Sequence, residues 1–206
     1  MDYNGNIKKF KAQMMSKYPN IKIILASKSP RRKKILEEAG FCFEISSANV
    51  EEKTLVTASA TVQANAKIKC EAVAKLNHDH LIIAADTVVS LDDKVLEKPA
   101  NLNEAEEMLK VLSGRSHEVM TAVSISYKSR KIDFMDTCKV YFKELDENII
   151  SEYFSSVSPL DKAGAYNIDE CGDLIIDKFE GEYENIMGLP IKDLLLRLQD
   201  FLKGSF

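Results

Sequence analysis

The segment SKSPRR at residues 27–32 places a hydroxyl and two guanidinium groups where a helix is expected to begin at Pro30. Free N–H groups at a helix N-terminus attract phosphate, and Ser27, Arg31 and Arg32 would add neutral and cationic donors. A capped helix with solvated arginines is the alternative, although two cations in the first turn oppose the helix dipole. The segment alone leaves phosphate binding and simple capping both open.

A carboxylate interrupts the apolar run IIAADTVVSL at Asp86. Burying a carboxylate is costly unless it is paired, hydrogen-bonded or bound to a metal ion. Asp86 is therefore either a strand-end residue turned to solvent or a cleft residue that serves as a magnesium ligand or general base. Thr87 is expected on the opposite side of the strand, or on the cleft wall if the strand ends there.

Two further segments contain lysine. Lys98 precedes Pro99, whose ring fixes the backbone, and it either neutralises phosphate charge or is an ordinary surface lysine. The segment DKAGAY at 161–166 suits either close approach to a ligand or a turn. Together the four segments outline an anion site, a carboxylate and two lysines on separate elements, as a cleft that cleaves phosphate bonds requires. The sequence contains no P-loop, dinucleotide-binding or HExxH motif.

The elements that must position these residues are predicted from apolar periodicity and from helix boundary signals. Strands alternate with helices early in the chain, and 117–142 is typical of an antiparallel ribbon, so we expect a mixed sheet. Strands are predicted at 21–26, 41–46, 81–91, 94–97, 117–127, 131–142 and 174–179. Helices are predicted at 5–17, 30–40, 57–76, 103–112 (with Asn103 or its neighbour as cap), 146–156 and 190–202.

Length and composition limit the possible functions. The 206 residues suffice for one sizeable α/β domain, or for two lobes around a cleft. The formal charge of -4 argues against a nucleic-acid polymer as partner, although a small anionic substrate needs only a local basic pocket. Four cysteines without CxxC spacing indicate a reducing compartment. No secretory signal or bilayer-length apolar run is evident, so a cytoplasmic protein without membrane contact is expected.

Five segments in order resemble the Maf family. They read ILASKSPRRKKILEEAG, IIAADTVVSLDDKVLEKP, LSGRSHEVMTAVSI, PLDKAGAYNIDECG and ENIMGLPIKDLLLRL, and they extend from about residue 21 to about residue 198. The resemblance implies an α/β fold similar to the inosine-triphosphatase-like enzymes, in which a mixed, bent sheet with flanking helices forms a central cleft between two lobes. A single domain at 21–206 would then follow an N-terminal extension at 1–20.

The resemblance also implies an activity and a set of site residues. Family members hydrolyse nucleoside triphosphates to the monophosphate and pyrophosphate with Mg²⁺ or Mn²⁺, commonly as homodimers. By motif position, Asp86 is the catalytic acidic residue, as general base or metal-linked group, and Glu52 is a second candidate metal ligand. The positions expected to contact substrate are Ser27, Arg31, Arg32, Glu52, Lys69 and Lys98.

The family has one branch that acts on dTTP and UTP and another that acts on 7-methyl-GTP. The ADT and DKAGAY segments resemble the first branch, and Arg31, Thr87 and Asp169 lie at positions that separate the two. The pyrimidine branch usually has Gln where this chain has Asp169, and an ionised carboxylate only accepts hydrogen bonds whereas an amide also donates them. Modified pyrimidines and modified purines therefore remain open as substrates. A septum-formation binding protein is the alternative from another class, and the intact polar set argues against it.

Overall fold

A seven-stranded mixed sheet forms the centre of the computed structural model, which describes residues 20–47 and 49–203. The strand order is β2-β1-β3-β5-β6-β7, and β4 pairs with β3 outside this path. β1 runs parallel to β2 and β3, whereas the other pairs are antiparallel. The strands are β1 (Lys22–Leu25), β2 (Glu44–Ile45), β3 (His80–Leu91), β4 (Lys94–Leu96), β5 (Ser116–Tyr127), β6 (Arg130–Phe142) and β7 (Ile176–Glu180).

Helices cover both faces of this sheet, as expected for an α/β fold. Within the described part of the chain no helix is both long and apolar enough to cross a membrane, and the predicted helix at 5–17 lies outside that part. The helices are α1 (Pro30–Glu38), α2 (Ala58–Ala74), α3 (Leu102–Leu112), α4 (Glu147–Ser156), α5 (Gly172–Ile175), α6 (Tyr183–Ile186) and α7 (Ile191–Lys203), with a 3₁₀ turn at Ala163–Ala165.

The side chains of β3 alternate between the two faces because successive residues of a strand point in opposite directions. Ile83 and Ala85 pack with α1 and α7 in one apolar cluster. Ala84 and Val88 pack with α2 on the other face. Beyond Val89 the same strand enters a separate cluster with α3 and α4. The α/β fold with a mixed sheet and flanking helices is thus confirmed, and two large apolar clusters share its long strands.

One edge of β3 is only partly covered. β1 pairs with residues 80–83 of β3, and β4 pairs with residues 89–91. Along this edge residues 84–88 therefore have no strand partner in the described part of the chain. Groups on either face of β3 can reach an opening at this gap.

Two predicted strands are wrong in extent. The strand predicted at 41–46 shrinks to β2, because the Phe41 N–H donates to the carbonyl of Leu36 (3.0 Å) and closes α1 instead of joining the sheet. The strand predicted at 174–179 begins only at Ile176, since the N–H of Leu174 bonds the carbonyl of Cys171 (3.1 Å) in the turn of α5. Helix α6 has no counterpart among the predicted elements.

Polar caps decide where the helices begin. Thr57 and Asp146 accept backbone hydrogen bonds at the starts of α2 and α4, so both predicted helices begin within a residue of the expected position. The cap of α3 is Asn101, whose side chain accepts from the Glu104 N–H (3.0 Å). The prediction of Asn103 or its neighbour as the cap is therefore wrong, by two residues for Asn103 itself.

Candidate active site

A cavity of about 550 Å³ opens at the uncovered edge of β3. Its walls come from the turn before α1, the loop between β2 and α2, the side of α2, the middle of β3, and the loop at 161–170. These segments are far apart in the sequence. The turn beginning at Ser27 and the carboxylate of Asp86 therefore share one opening, as the sequence interpretation requires.

The turn before α1 is organised by its serines. Ser29 is the N-cap of α1, with Pro30 at the first helical position, and its Oγ accepts from the Arg32 N–H at 3.4 Å. The Ser29 N–H donates to Ser27 Oγ (3.2 Å). The turn therefore caps α1, and it also lines the cavity. Helix capping and phosphate binding by this segment do not exclude each other.

Arg32 is fixed against the cavity wall. Its guanidinium donates to the Gly188 carbonyl (2.8 Å), to Ser27 Oγ (3.1 Å) and to Thr87 Oγ1 (2.9 Å). Burial lowers the pKa of Arg32, and the nearby carboxylate of Asp86 acts in the opposite direction. Because an arginine stays protonated in proteins, the site keeps a fixed positive charge there. Arg32 is thus not a solvated arginine.

Gly188 permits this arrangement by having no side chain. Its φ is +106°, and a Cβ atom there would lie 3.2 Å from Thr87 Oγ1 and 3.3 Å from Arg32 Nε. Any other residue would be strained and would crowd the guanidinium. The chain can therefore bring a backbone carbonyl to Arg32 only through glycine.

Lys69 bridges two carboxylates on the α2 side of the cavity. Its Nζ lies 2.6 Å from Asp86 Oδ1 and 2.7 Å from Glu52 Oε1. Asp86 is 6% exposed and sits within β3, four residues or more from either strand end, so the strand-end alternative is wrong. Burial raises the pKa of Glu52, but the hydrogen bond from Lys69 and the nearby cations outweigh it and lower that pKa overall.

Glu52 reaches Lys69 because contacts from α2 hold the loop that precedes this helix. The buried side chain of Asn65 accepts from the Lys53 N–H (2.8 Å) and donates to the Lys53 carbonyl (3.0 Å). Thr61 Oγ1 accepts from the Leu55 N–H (2.9 Å). These contacts come from the helix that carries Lys69, so α2 positions both Lys69 and Glu52, whereas Asp86 is positioned by β3.

The opposite wall is formed by the loop at 161–170. Lys162 is 6% exposed, and its Nζ contacts the Ser158 carbonyl and Asp161 Oδ1, each at 2.8 Å. Asn167 Oδ1 accepts from Arg31 Nη1 across the cavity at 2.9 Å. The expectation for the DKAGAY segment did not include Asn167, because its contact with Arg31 joins residues 136 positions apart.

The donor set suits a divalent cation with few protein ligands. No group of three or more His, Cys, Asp or Glu side chains suited to a metal ion occurs among residues 20–47 and 49–203. Asp86 and Glu52 nevertheless bring two carboxylates to one ammonium group. Magnesium is commonly bound by one or two carboxylates together with substrate phosphates, so these residues fit such an ion.

Comparison with known proteins shows the family of this chain. The sequence profile of the Maf family, described as Maf-like protein, matches residues 22–201. The chain belongs to the Maf family. A dTTP/UTP pyrophosphatase of Bacillus anthracis is 44% identical over 182 residues, which are 87% of this chain and 95% of that protein. A Bacillus cereus protein of the same name is also 44% identical and is covered to 90%.

A solved structure of low sequence identity shares the fold. The HAM1 protein from Coxiella burnetii superposes with a TM-score of 0.53 at 13% identity, over 87% of this chain and 99% of that one. At this identity the similarity concerns the fold alone. It agrees with the inosine-triphosphatase-like architecture that the Maf resemblance implies.

The structure brings together nearly all of the residues that the Maf resemblance singles out. Thr87 lines the cavity although β3 continues to Leu91, because the edge of the strand is open at this point. Asp169 is the exception among these described residues: it is outside the cavity lining, and its Oδ2 lies 4.0 Å from Lys34 Nζ. The predicted residues that line the cavity are Ser27, Arg31, Arg32, Glu52, Lys69, Asp86, Thr87 and Lys98.

Proposed function

We propose that this chain is a nucleoside triphosphate pyrophosphatase that hydrolyses dTTP and UTP, or modified pyrimidine nucleotides, to the monophosphate and pyrophosphate. The observation that carries the proposal is the shared opening at the edge of β3. There the fixed Arg32 lies on one side and the two carboxylates bridged by Lys69 lie on the other. The names of the Bacillus relatives support the pyrimidine substrates.

The turn at residues 27–32, called the basic turn below, binds the phosphate chain in this proposal. Ser27 contributes a hydroxyl, and Arg32 contributes the guanidinium N–H groups that are not used in its three internal hydrogen bonds. The exposed Lys98 adds an ammonium group. Arg31 supplies a second guanidinium from the same helical turn. Fixed donors and cations of this kind position the substrate and stabilise charge in the transition state.

Asp86 is the proposed catalytic residue. Lys69 engages its Oδ1, and Oδ2 forms no hydrogen bond with a described residue, so this oxygen is the one to accept a proton from the attacking water. Lys69 balances the charge of the buried carboxylate, which would otherwise be costly in this position. Thr87 and Arg32 border the same gap from the other face of β3.

Asp86 and Glu52 would also hold a divalent cation, Mg²⁺ or Mn²⁺. Such an ion supplies polarisation of the α-phosphate and lowers the pKa of a bound water. We further propose that residues 21–206 form one domain after an extension at 1–20, and that the protein acts as a homodimer in the cytoplasm. It would not bind nucleic-acid polymers, in keeping with the net charge of -4.

The test is pyrophosphate release by Asp86→Asn. We expect turnover of dTTP and UTP to fall by about 100-fold to 10,000-fold, the range for loss of a general base, while the circular dichroism spectrum is unchanged. Asp177→Asn, an exposed carboxylate on β7, is the matched control and should behave like wild type. Full activity in Asp86→Asn would remove this residue from the mechanism.

The same assay separates the proposal from its rivals. A panel of canonical and modified triphosphates, tested with magnesium and with manganese, reads out the base preference. Best turnover of 7-methyl-GTP would indicate the other branch of the family. No pyrophosphate from any triphosphate would contradict an enzymatic role and favour a division-linked binding protein.

A further inference from the structure

Asn167 accepts a hydrogen bond from Arg31, the less constrained of the two arginines in the turn at residues 27–32. Arg32 makes three side-chain hydrogen bonds within the protein. Arg31 makes a single one to a described residue, from Nη1 to Asn167 Oδ1 at 2.9 Å. Arg31 and Asn167 lie on opposite walls of the cavity, and both line it. The position of the Arg31 guanidinium therefore depends on Asn167.

Asn167 is itself held rigidly. It is 2% exposed, and its backbone is bonded on both sides by one hydroxyl group. The Asn167 N–H donates to Tyr153 Oη (2.9 Å), and Tyr153 Oη donates to the Asn167 carbonyl (3.2 Å). Tyr153 belongs to α4 and is fully buried. A continuous set of contacts thus runs from the core of one apolar cluster to the first turn of α1.

The orientation of the Asn167 amide follows from chemistry. A guanidinium group has only N–H donors, so the atom facing it must be the amide oxygen. A carboxylate at this place could accept the same hydrogen bond, whereas an aliphatic side chain of similar size could not. This difference allows the hydrogen-bonding role of Asn167 to be tested separately from its role in packing.

We propose that Asn167 is a positioning residue for the substrate, which acts by fixing the guanidinium of Arg31 before the nucleotide binds. The inference rests on the proposed function, because Arg31 is taken there as a substrate contact. A long cationic side chain loses conformational freedom when it binds a ligand, and a side chain already held in place loses less. Asn167 thereby strengthens binding of the triphosphate without touching the reacting atoms.

The contact between Asn167 and Arg31 also concerns position 169, where this chain has Asp in place of the expected Gln. The resemblance to the pyrimidine branch implies an amide there, whereas this chain has Asp169, which lies outside the cavity lining in the described structure. Asn167 supplies an amide that does line the cavity, two residues earlier. The polar partner of Arg31 in this chain is thus Asn167 and not Asp169.

The experiment is a double-mutant cycle between Arg31 and Asn167, with KM and kcat measured separately for dTTP. We expect Asn167→Leu to raise KM by about 10-fold, the loss expected for a hydrogen bond to a charged group, with little change in kcat, and Arg31→Ala to raise KM at least as much. In the double variant Asn167→Leu should add less than about 2-fold to the effect of Arg31→Ala, since residues that act through one contact are not additive.

Three further variants isolate the hydrogen bond. Asn167→Asp keeps an acceptor oxygen and should retain a KM within about 3-fold of wild type, since the hydrogen bond to Arg31 survives. Tyr153→Phe removes the hydroxyl that holds the Asn167 backbone without altering the cavity lining. It should therefore raise KM even if Asn167→Leu folds poorly. Asn103→Ala, an exposed amide on α3, is the control and should match wild type.

The outcomes distinguish this inference from the proposed function. If wild type cleaves dTTP while Asn167→Leu and Tyr153→Phe leave KM unchanged, the positioning role is wrong and the enzymatic function stands. Additive effects of Arg31→Ala and Asn167→Leu would equally overturn it, because they indicate a packing role. If wild type releases no pyrophosphate from any triphosphate, the proposed function fails first and the positioning role falls with it.

Discussion

At the level of single residues, the charge balance around Lys69 is the most sensitive feature of the site. One ammonium group lies within 2.7 Å of two carboxylates, one of them buried. Removing the ammonium would leave Asp86 without its partner in a poorly hydrated place, and breaking a buried pair from one side is costly. The two carboxylates would also repel each other.

We therefore predict that Lys69→Met lowers kcat for UTP by at least about 10-fold, because each lost kcal/mol of organisation near the reacting atoms slows the step several-fold. The same variant should have a reduced free energy of unfolding. Lys67→Met changes an exposed lysine on the same helix and should alter neither quantity. Normal kcat in Lys69→Met would show that the bridge does not organise Asp86.

His117 is a second residue whose charge state matters, for stability and not for catalysis. It is buried against Phe142 and Tyr166, and burial lowers its pKa to about 4 from 6.5. The folded protein thus binds this proton less readily than the unfolded chain. Its contribution is complete above pH 6.5 and is lost as pH falls from 6.5 towards 4.

The expected size of this loss is about 3 kcal/mol of unfolding free energy, since each pKa unit corresponds to about 1.4 kcal/mol. Urea titrations at several pH values between 7 and 4 would measure it. His117→Gln keeps a polar side chain without the titration and should have a flatter pH profile in this window. Equal profiles for the two proteins would contradict the assignment to His117.

At the level of elements, α2 acts as the scaffold of the acidic side of the cavity. Asn65 fixes the backbone of Lys53, next to Glu52, and the same helix carries Lys69 one turn later. We predict that Asn65→Ala reduces activity by releasing Glu52, and that it costs about 1–3 kcal/mol of stability because two hydrogen bonds to the Lys53 backbone are lost.

A matched control comes from the end of the same helix. Asn77 Nδ2 donates to the Val73 carbonyl at 2.9 Å, so Asn77→Ala also removes an amide contact to the backbone of α2. Asn77 is not among the residues that line the cavity. Asn77→Ala should lower the melting temperature without lowering kcat/KM, and a similar activity loss in both variants would mean that only general stability is involved.

How far the sequence predicts these elements depends on how local their signals are. The helices α2, α3 and α4 and the ribbon of β5 and β6 follow from periodicity and caps that neighbouring residues supply. β2 and α5 do not, because the termini of these elements are set by competition for single backbone hydrogen bonds at Phe41 and Leu174. A pattern of side chains contains no information on that competition.

The residues of the site also divide into those with a local sequence signal and those that act through tertiary contacts. Ser27, Arg32 and Asp86 stand out in the sequence because polar groups occur where packing does not require them. Their partners could not be read in the same way: Asn65 and Asn167 act through tertiary contacts with residues 12 and 136 positions away. An isolated asparagine gives no sign of such a contact. Resemblance to a family located Glu52 and Lys69, whereas the hydrogen bonds that hold them required the structure.

At the level of the whole molecule, the cavity connects parts of the chain from Ala26 to Ile186. A ligand that fills it will therefore oppose global unfolding and not only local motion. At a nucleotide concentration of 100 times Kd the gain is about 2.7 kcal/mol, which corresponds to a rise in melting temperature of roughly 5–10 °C for a chain of this size.

This rise can be measured on Asp86→Asn, so that hydrolysis does not consume the ligand during heating. We expect dTTP to stabilise that variant through the basic turn, and dTMP to do so less because it lacks the phosphates that this turn would bind. Equal shifts with dTTP and dTMP would show that the turn at Ser27 does not hold the polyphosphate. Asp177→Asn with a non-hydrolysable analogue serves as the comparison.

The open edge of β3 has a consequence for how this protein can change over evolution. Asp86 meets Lys69 on one face of the strand and Thr87 meets Arg32 on the other, and the gap that exposes both is only residues 84–88. Inserting or deleting one residue between Ile83 and Asp86 would exchange the two faces and carry the acid to the arginine side. The site therefore constrains the number of residues between Ile83 and Asp86 as well as their side chains.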